Sequence, residues 1–245
     1  MALSQAQWAR IGQYVRSYLA RTTMNYGHKN AEYRAVWRWM HTLNVLKNLD
    51  AILDGEKASD EARDICRVAA LFHDVDHYTV ELEYHALRGA ETATAFLKRE
   101  GHPAEYVERV AEAIRGHHHD LSDDEPIDQQ VARIAAELSH EAHMVMDAET
   151  LDKIGANNVL QSIITMSAVK HPQIFEVTRE LTSGWPLDRA RTWAQTLITA
   201  TGKVMGAQRL EFYERLLRQL AEEVVTEDPF PQPSALTQES LQVPE

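Results

Sequence analysis

The sequence predicts an all-α fold of about nine to ten helices in one bundle. Apolar residues recur at helical spacing through almost every segment, no stretch combines strict alternation with β-branched enrichment, and Gly and Pro fall between the periodic segments. Ser4 caps a first helix whose apolar face carries Trp8, Ile11, Tyr14, Val15 and Leu19. A second runs from Ala31 to Asp54 with Trp37, His41, Val45 and Leu49 at helix-face spacing, and Gly27 and Gly55 mark the breaks on either side. A third covers about Ser59 to Val75, a fourth about Glu81 to Arg99 with Gly101 as its stop, and Pro103 suits the first turn of a fifth. After a polar loop from Asp120 to Pro126, one long helix is expected from Ile127 to about Ile154, ended by Gly155. Further helices are expected over Val159 to Lys170, Gln173 to Leu181, Leu187 to Val204 and Ala207 to Val225, separated by Pro172, by Ser183 to Pro186 and by Gly206.

The 245 residues read as one domain over residues 1–227, followed by a Pro-rich tail over 228–245 with too little apolar content to fold alone. Lys+Arg 25 against Asp+Glu 37 gives a formal net charge of −12. That field opposes a nucleic acid duplex and favours small soluble partners, so Trp8, Trp37, Trp39, Trp185 and Trp193 are assigned to core or pocket wall. The single cysteine, Cys66, lies in a helical run, which excludes an internal disulfide framework and marks a buried thiol suited to a reducing compartment. Met1 to Gln5 lacks the build of a signal peptide, and no apolar stretch approaches the ~20 residues of a membrane span. The expectation is a cytoplasmic protein that binds no membrane, with a homodimer left open.

The most informative feature is the pair His73-Asp74 at the end of the apolar run Val68-Ala69-Ala70-Leu71-Phe72, with His41 on an earlier helix and Asp147 on a later one. Imidazole and carboxylate groups on several helices can close around one divalent ion and leave room for water. The mixed nitrogen and oxygen set favours manganese, iron, cobalt or nickel, with magnesium still an option. A second dipeptide, His119-Asp120, opens a polar loop and lacks that context. Nothing matches a phosphate-binding Gly-rich loop or a nucleophile elbow, and His140-Glu141-Ala142-His143 is one residue too short for a zinc-protease helix.

His41, His73, Asp74 and Asp147 resemble the H…HD…D signature of the HD superfamily of metal-dependent phosphohydrolases, of the bacterial hydrolase type. The likeness extends to His41-Thr42-Leu43-Asn44-Val45, to the Ala-Leu-Phe before His73, and to Asp147-Ala148-Glu149-Thr150-Leu151-Asp152-Lys153-Ile154-Gly155, which is similar to D-A-D-x-L-D-x-x-G with Glu149 as a departure. With Thr201, Lys203, Gln208-Arg209 and Phe212-Tyr213, the resemblance covers about residues 31–225. It implies His41, His73, Asp74 and Asp147 as ligands of one ion. It also implies a second ion on His85 and one of the triplet His117-His118-His119, with His117 preferred, His118 next and Asp74 bridging. His77, in its protonated form, is the expected partner of a scissile phosphate or its leaving group. Arg38, three residues before His41, is either a phosphate clamp or a salt bridge. His140, His143 and Asp147 share one stripe of their helix, and that stripe is expected to face the metal. His143 is then either a substrate-contacting group or a hydrogen-bonded core histidine, and Glu149 and Asp152 are expected to hold ligands or basic residues in place.

The implied function is hydrolysis of a phosphomonoester or pyrophosphate bond in a nucleotide or related small phosphorylated metabolite, with Asp74, His77 and Arg38 as catalytic groups. Two alternatives are a di-iron oxygenase of the same superfamily and a metal or nucleotide sensor without turnover. The oxygenase relatives carry a Tyr and a Glu ahead of the first histidine, where this chain has Ala31 and Arg34.

Overall fold

The computed structural model describes residues 3–25, 31–119, 121–122, 124–165 and 174–226. Among them are eleven α-helices and no strand. In chain order they are α1 (Gln5–Asn25), α2 (Ala31–Gly55), α3 (Asp60–Phe72), α4 (His85–Arg99), α5 (Ala104–Arg115), α6 (Ile127–Glu137), α7 (His140–Asp152), α8 (Ala156–Thr165), α9 (Ile174–Thr182), α10 (Trp185–Gln195) and α11 (Ala200–Glu223).

The apolar stripes of α1 to α5 and α7 meet in one core. Val45, Leu49 and Ile52 of α2 face Val68, Leu71 and Phe72 of α3, Ile114 of α5 and Val145, Ala148 and Leu151 of α7. Tyr14 and Phe96 close the α1–α4 side with ring centroids 4.2 Å apart. Smaller clusters hold the later helices: Val159, Ala190, Tyr213 and Leu217 in one, Val177 and Leu181 in another.

Two helices expected as single rods are broken. The span Ile127–Ile154 divides at Leu138–Ser139, because Ser139 is extended (φ −68°, ψ 160°) and its side chain accepts from Ala142 N, so it caps α7 instead of continuing α6. The expected break at Gly206 is absent, and Gly206 lies within α11. The chain turns instead at Thr196–Thr199, where the Thr199 hydroxyl accepts from Gly202 N at 2.9 Å. Both errors come from short polar side chains that compete for the backbone. Elsewhere α3 ends at Phe72 instead of Val75, a 3-10 turn (Leu82–Tyr84) precedes α4, and Pro103 stands at the N-cap of α5. The break at Gly27, Asp120 at the head of the polar loop, the end at Lys170, the stop at Pro172, the start at Gln173 and the tail over 228–245 lie outside the described residues.

Two features set the site. Gly89 lets α4 press against the end of α3, since a Cβ there would stand 3.0 Å from the Phe72 carbonyl oxygen and 3.1 Å from that of His73. Buried Asp76 then ties the turn after Asp74 to its neighbours: Tyr18 of α1 donates at 2.9 Å, Thr79 at 2.8 Å and Thr92 of α4 at 2.5 Å.

Candidate metal centre

Five segments deliver side chains to one buried point. Arg38 and His41 sit one turn apart on α2, His73 and Asp74 follow the last residue of α3, His85 opens α4, His117 follows α5, and Glu149 and Asp152 project from α7. His41 Nε2 lies 3.1 Å from His73 Nε2, and both stand beside Asp74 Oδ2, at 3.3 and 3.4 Å. The other carboxylate oxygen, Asp74 Oδ1, faces His85 Nε2 at 3.3 Å, His77 Nδ1 at 3.5 Å and His117 Nε2 at 3.9 Å. His85 Nε2 and His117 Nε2 are themselves 3.1 Å apart. Asp74 therefore stands between two groups of ring nitrogens.

The far side of each ring fixes its tautomer. His73 Nδ1 meets the Ala70 carbonyl at 2.7 Å, His117 Nδ1 the Ile114 carbonyl at 2.5 Å, and His85 Nδ1 the Leu82 carbonyl. A carbonyl only accepts, so each Nδ1 carries the proton, and in the neutral ring the Nε2 lone pair is left aimed inward. His41 Nδ1 is held the same way by Asp152 Oδ2 at 2.7 Å, and Asp152 is braced by Gln161 (3.0 Å) and Asn157 (2.7 Å) of α8.

Glu149 adds a second mismatch of acceptors. Its Oε1 takes Lys153 Nζ at 2.7 Å, while its Oε2 is buried without a hydrogen bond and lies 3.5 Å from His117 Nε2. Lone pairs facing lone pairs in a buried place are unfavourable unless a cation or protons lie between them. The donor set, nitrogen and oxygen with no thiol, fits a divalent transition ion.

The electrostatics agree with burial offset by close charge. Although burial opposes ionisation, Arg38 and His73 hold the Asp74 carboxyl well below its usual range. Burial opposes Glu149 likewise, and Lys153 and His117 hold it low. Burial also disfavours the His41 cation, but Asp152 and Asp74 raise His41 to about 8. Burial, with His73 and His85 acting in the same direction, drives His117 down to about 3, keeping it neutral and able to ligate. It lowers His77 as well, so the neutral imidazole is favoured there in place of the protonated form expected from sequence.

Asp147 is turned away from this cluster. Its carboxylate accepts from Ile198 N at 2.9 Å, Thr199 N at 2.7 Å and the Thr199 hydroxyl at 2.6 Å, so it holds the turn that leads into α11. Burial raises it to about 6. Helix geometry explains the difference: Asp152, which meets His41, is three residues from Glu149 and so nearly on one face, but five residues from Asp147, roughly 140° around the axis. That arithmetic was available from sequence once Asp152 was taken as the fixed point. The stripe His140, His143, Asp147 consequently does not face the metal centre. His143 lies off the cavity wall, against the Ala135 carbonyl of α6, and burial lowers it.

The cluster opens into a cavity of about 520 Å3. Arg38, His77, His85, His117, His118 and Glu149 line it. His118 flanks His85, with ring centroids 4.7 Å apart, and the pair at 3.1 Å is His85 with His117. Arg38 donates through Nη1 to Asp74 Oδ2, its guanidinium lies 5.3 Å from the Tyr78 ring centroid, and its Nε is buried without a partner. Lys153, Arg189, Trp37 and Trp193 also line the cavity. Sequence reasoning put Trp37 and Trp193 in core or pocket wall and did not single out Lys153 or Arg189, because a cation on an amphipathic helix carries no local signature.

The family model described as HD domain matches residues 38–154. No curated protein matches the chain. Among solved structures, a predicted HD superfamily hydrolase from an uncultured Thermotogales bacterium is 22% identical, with 86% of this chain and 91% of that chain covered and a TM-score of 0.54. Bacillus subtilis YpgQ, solved in complex with ADP, is 19% identical, with 88% and 96% covered and a TM-score of 0.55. A Lactobacillus plantarum protein is 18% identical, with 90% and 97% covered and a TM-score of 0.58. The pairing of His41 with His73-Asp74 on converging helices lies inside the segment that the HD domain model matches, residues 38–154.

Proposed function

We propose that this protein is a metal-dependent phosphohydrolase that cleaves a phosphomonoester or pyrophosphate bond of a nucleotide or related small phosphorylated metabolite. The observation that carries the proposal is the carboxylate of Asp74, with His41 and His73 at one oxygen and His85 and His117 at the other. His41, His73 and Asp74 would hold one divalent ion, and Asp74, His85, His117 and Glu149 a second. When bound, such ions supply an acidified water nucleophile and positive charge against phosphate oxygens.

The chain's own groups do the rest. Arg38 is buried, and although burial opposes its charge, Asp74 keeps it ionised, so its unpartnered Nε is a fixed donor for a phosphate oxygen. His77 lines the cavity with its Nδ1 3.5 Å from Asp74, and burial favours its neutral form, so it is placed to take up a proton. Lys153 holds Glu149 in its place by their ion pair. A cavity of about 520 Å3 suits a nucleotide-sized ligand, and the ADP held by YpgQ supports that substrate class.

Metal analysis of the purified protein, followed by phosphate release from nucleoside mono-, di- and triphosphates with several divalent ions, tests the proposal. Bound transition metal and ion-dependent phosphate or pyrophosphate release are expected, both lost in Asp74→Ala. A metal-free protein silent across the panel, or an Asp74→Ala variant with full activity, would overturn it.

A further inference from the structure

The cavity wall formed by α10 carries a cation that the hydrolytic machinery does not use. Three strong bases line the cavity. Arg38 is tied to Asp74 and Lys153 to Glu149, but Arg189 has no carboxylate partner among the described residues. Its guanidinium lies 5.3 Å from the ring centroid of Trp185 and 4.8 Å from that of Trp193. Arg191, two residues on, shows the contrast, being paired with both Asp188 and Glu214.

An unmatched guanidinium is notable in a chain of net charge −12, where carboxylates are plentiful. The two indoles hold its position without consuming its donors, since cation–π contact uses the faces of the rings and the plane of the guanidinium, while the N–H edge stays free for bidentate hydrogen bonds. A side chain already restrained in this way loses less rotamer entropy when it binds an anion. Trp193 also lines the cavity, so the restraint and the cation belong to one wall.

We propose that Arg189, held between Trp185 and Trp193, binds a second anionic group of the substrate, apart from the phosphate at the His and Asp cluster, and so selects substrates bearing two anionic groups over those bearing one. This rests on the phosphohydrolase reading for its first anion. Arg38 then serves the reacting phosphate, and Arg189 is a specificity residue that does not touch the reacting atoms.

Calorimetric titration of the purified protein with methylphosphonate and α,β-methylene-ADP, in which P–C bonds replace the ester of a phosphomonoester and the α,β-anhydride, tests this by binding instead of phosphate release. Methylphosphonate offers one anionic group, and α,β-methylene-ADP offers two linked to a nucleoside. Wild type is expected to bind α,β-methylene-ADP at least tenfold more tightly than methylphosphonate. Arg189→Gln is expected to lose about that factor for α,β-methylene-ADP and to hold methylphosphonate within twofold. Equal affinity of variant and wild type for α,β-methylene-ADP, or equal loss of both probes, would overturn the assignment. If the Arg189-dependent preference holds but no phosphate ester or anhydride is cleaved, the subsite stands and the hydrolase reading falls.

Discussion

Asp147 and Glu149 are two residues apart and make opposite predictions. Replacing Asp147 by Ala takes the acceptor from the Ile198 and Thr199 amides and the Thr199 hydroxyl, all within 2.9 Å of its carboxylate. Stranding a buried polar group costs roughly 1–3 kcal/mol. Part of this is offset, because burial that pushes the Asp147 carboxyl up to about 6 shows its charge is itself costly to hold. The net loss works out at about 2 kcal/mol, and at roughly 2–4 °C per kcal/mol for a chain of this size the melting temperature falls by ~4–8 °C. Bound metal is retained. Glu149→Gln keeps the shape, removes the charge beside His117 and Lys153, and is expected to lower metal content while shifting the chelator-treated melting temperature by less than ~2 °C. Elemental analysis with thermal unfolding in the presence and absence of chelator reads both quantities. A metal-depleted Asp147→Ala protein of unchanged stability, or a Glu149→Gln protein with full metal, would refute the placement.

Three further outcomes follow from the same geometry. Asp152→Asn exchanges the acceptor for His41 Nδ1–H for an amide and should weaken divalent-ion affinity by about 10–100-fold in a metal titration, with little change in fold by circular dichroism. Gly89→Ala forces α4 away from the Phe72 and His73 carbonyls and should cost ~1–3 kcal/mol in urea unfolding, with reduced metal affinity because His85 moves with α4. Cys66 is fully buried and burial pushes its thiol up, so at pH 8 a disulfide reagent should label it only at the rate of opening and stoichiometrically in denaturant; fast labelling of the native protein would contradict this core.

Much of the fold was legible because α1 to α5 carry apolar stripes, and glycine stands at the ends of α2, α4 and α5. What escaped were Ser139 and Thr199, whose capping ends a helix without any Gly or Pro to announce it. At the site, His41, His73 and Asp74 stood out because a His-Asp pair closing a buried apolar run has few structural uses. His85 and His117 were expected at the second group and face each other across 3.1 Å. The choice between Asp147 and Glu149 depended on rotation about α7, which a motif written as a string does not contain. Arg189 stands four residues from both Trp185 and Trp193, a spacing visible in the sequence, but that Arg189 and Trp193 line the cavity is set by how α10 packs, which the string does not contain.

Three of the four inward-facing imidazoles are steered by main-chain carbonyls, those of Ala70, Leu82 and Ile114, and only His41 is steered by a side chain. A peptide oxygen cannot be exchanged by mutation, so three corners of the pocket are insulated from drift in the surrounding sequence as long as their helices persist. The fourth corner is the editable one. Selection or design that retunes how tightly this protein grips an ion, without rebuilding the scaffold, has Asp152 as its handle.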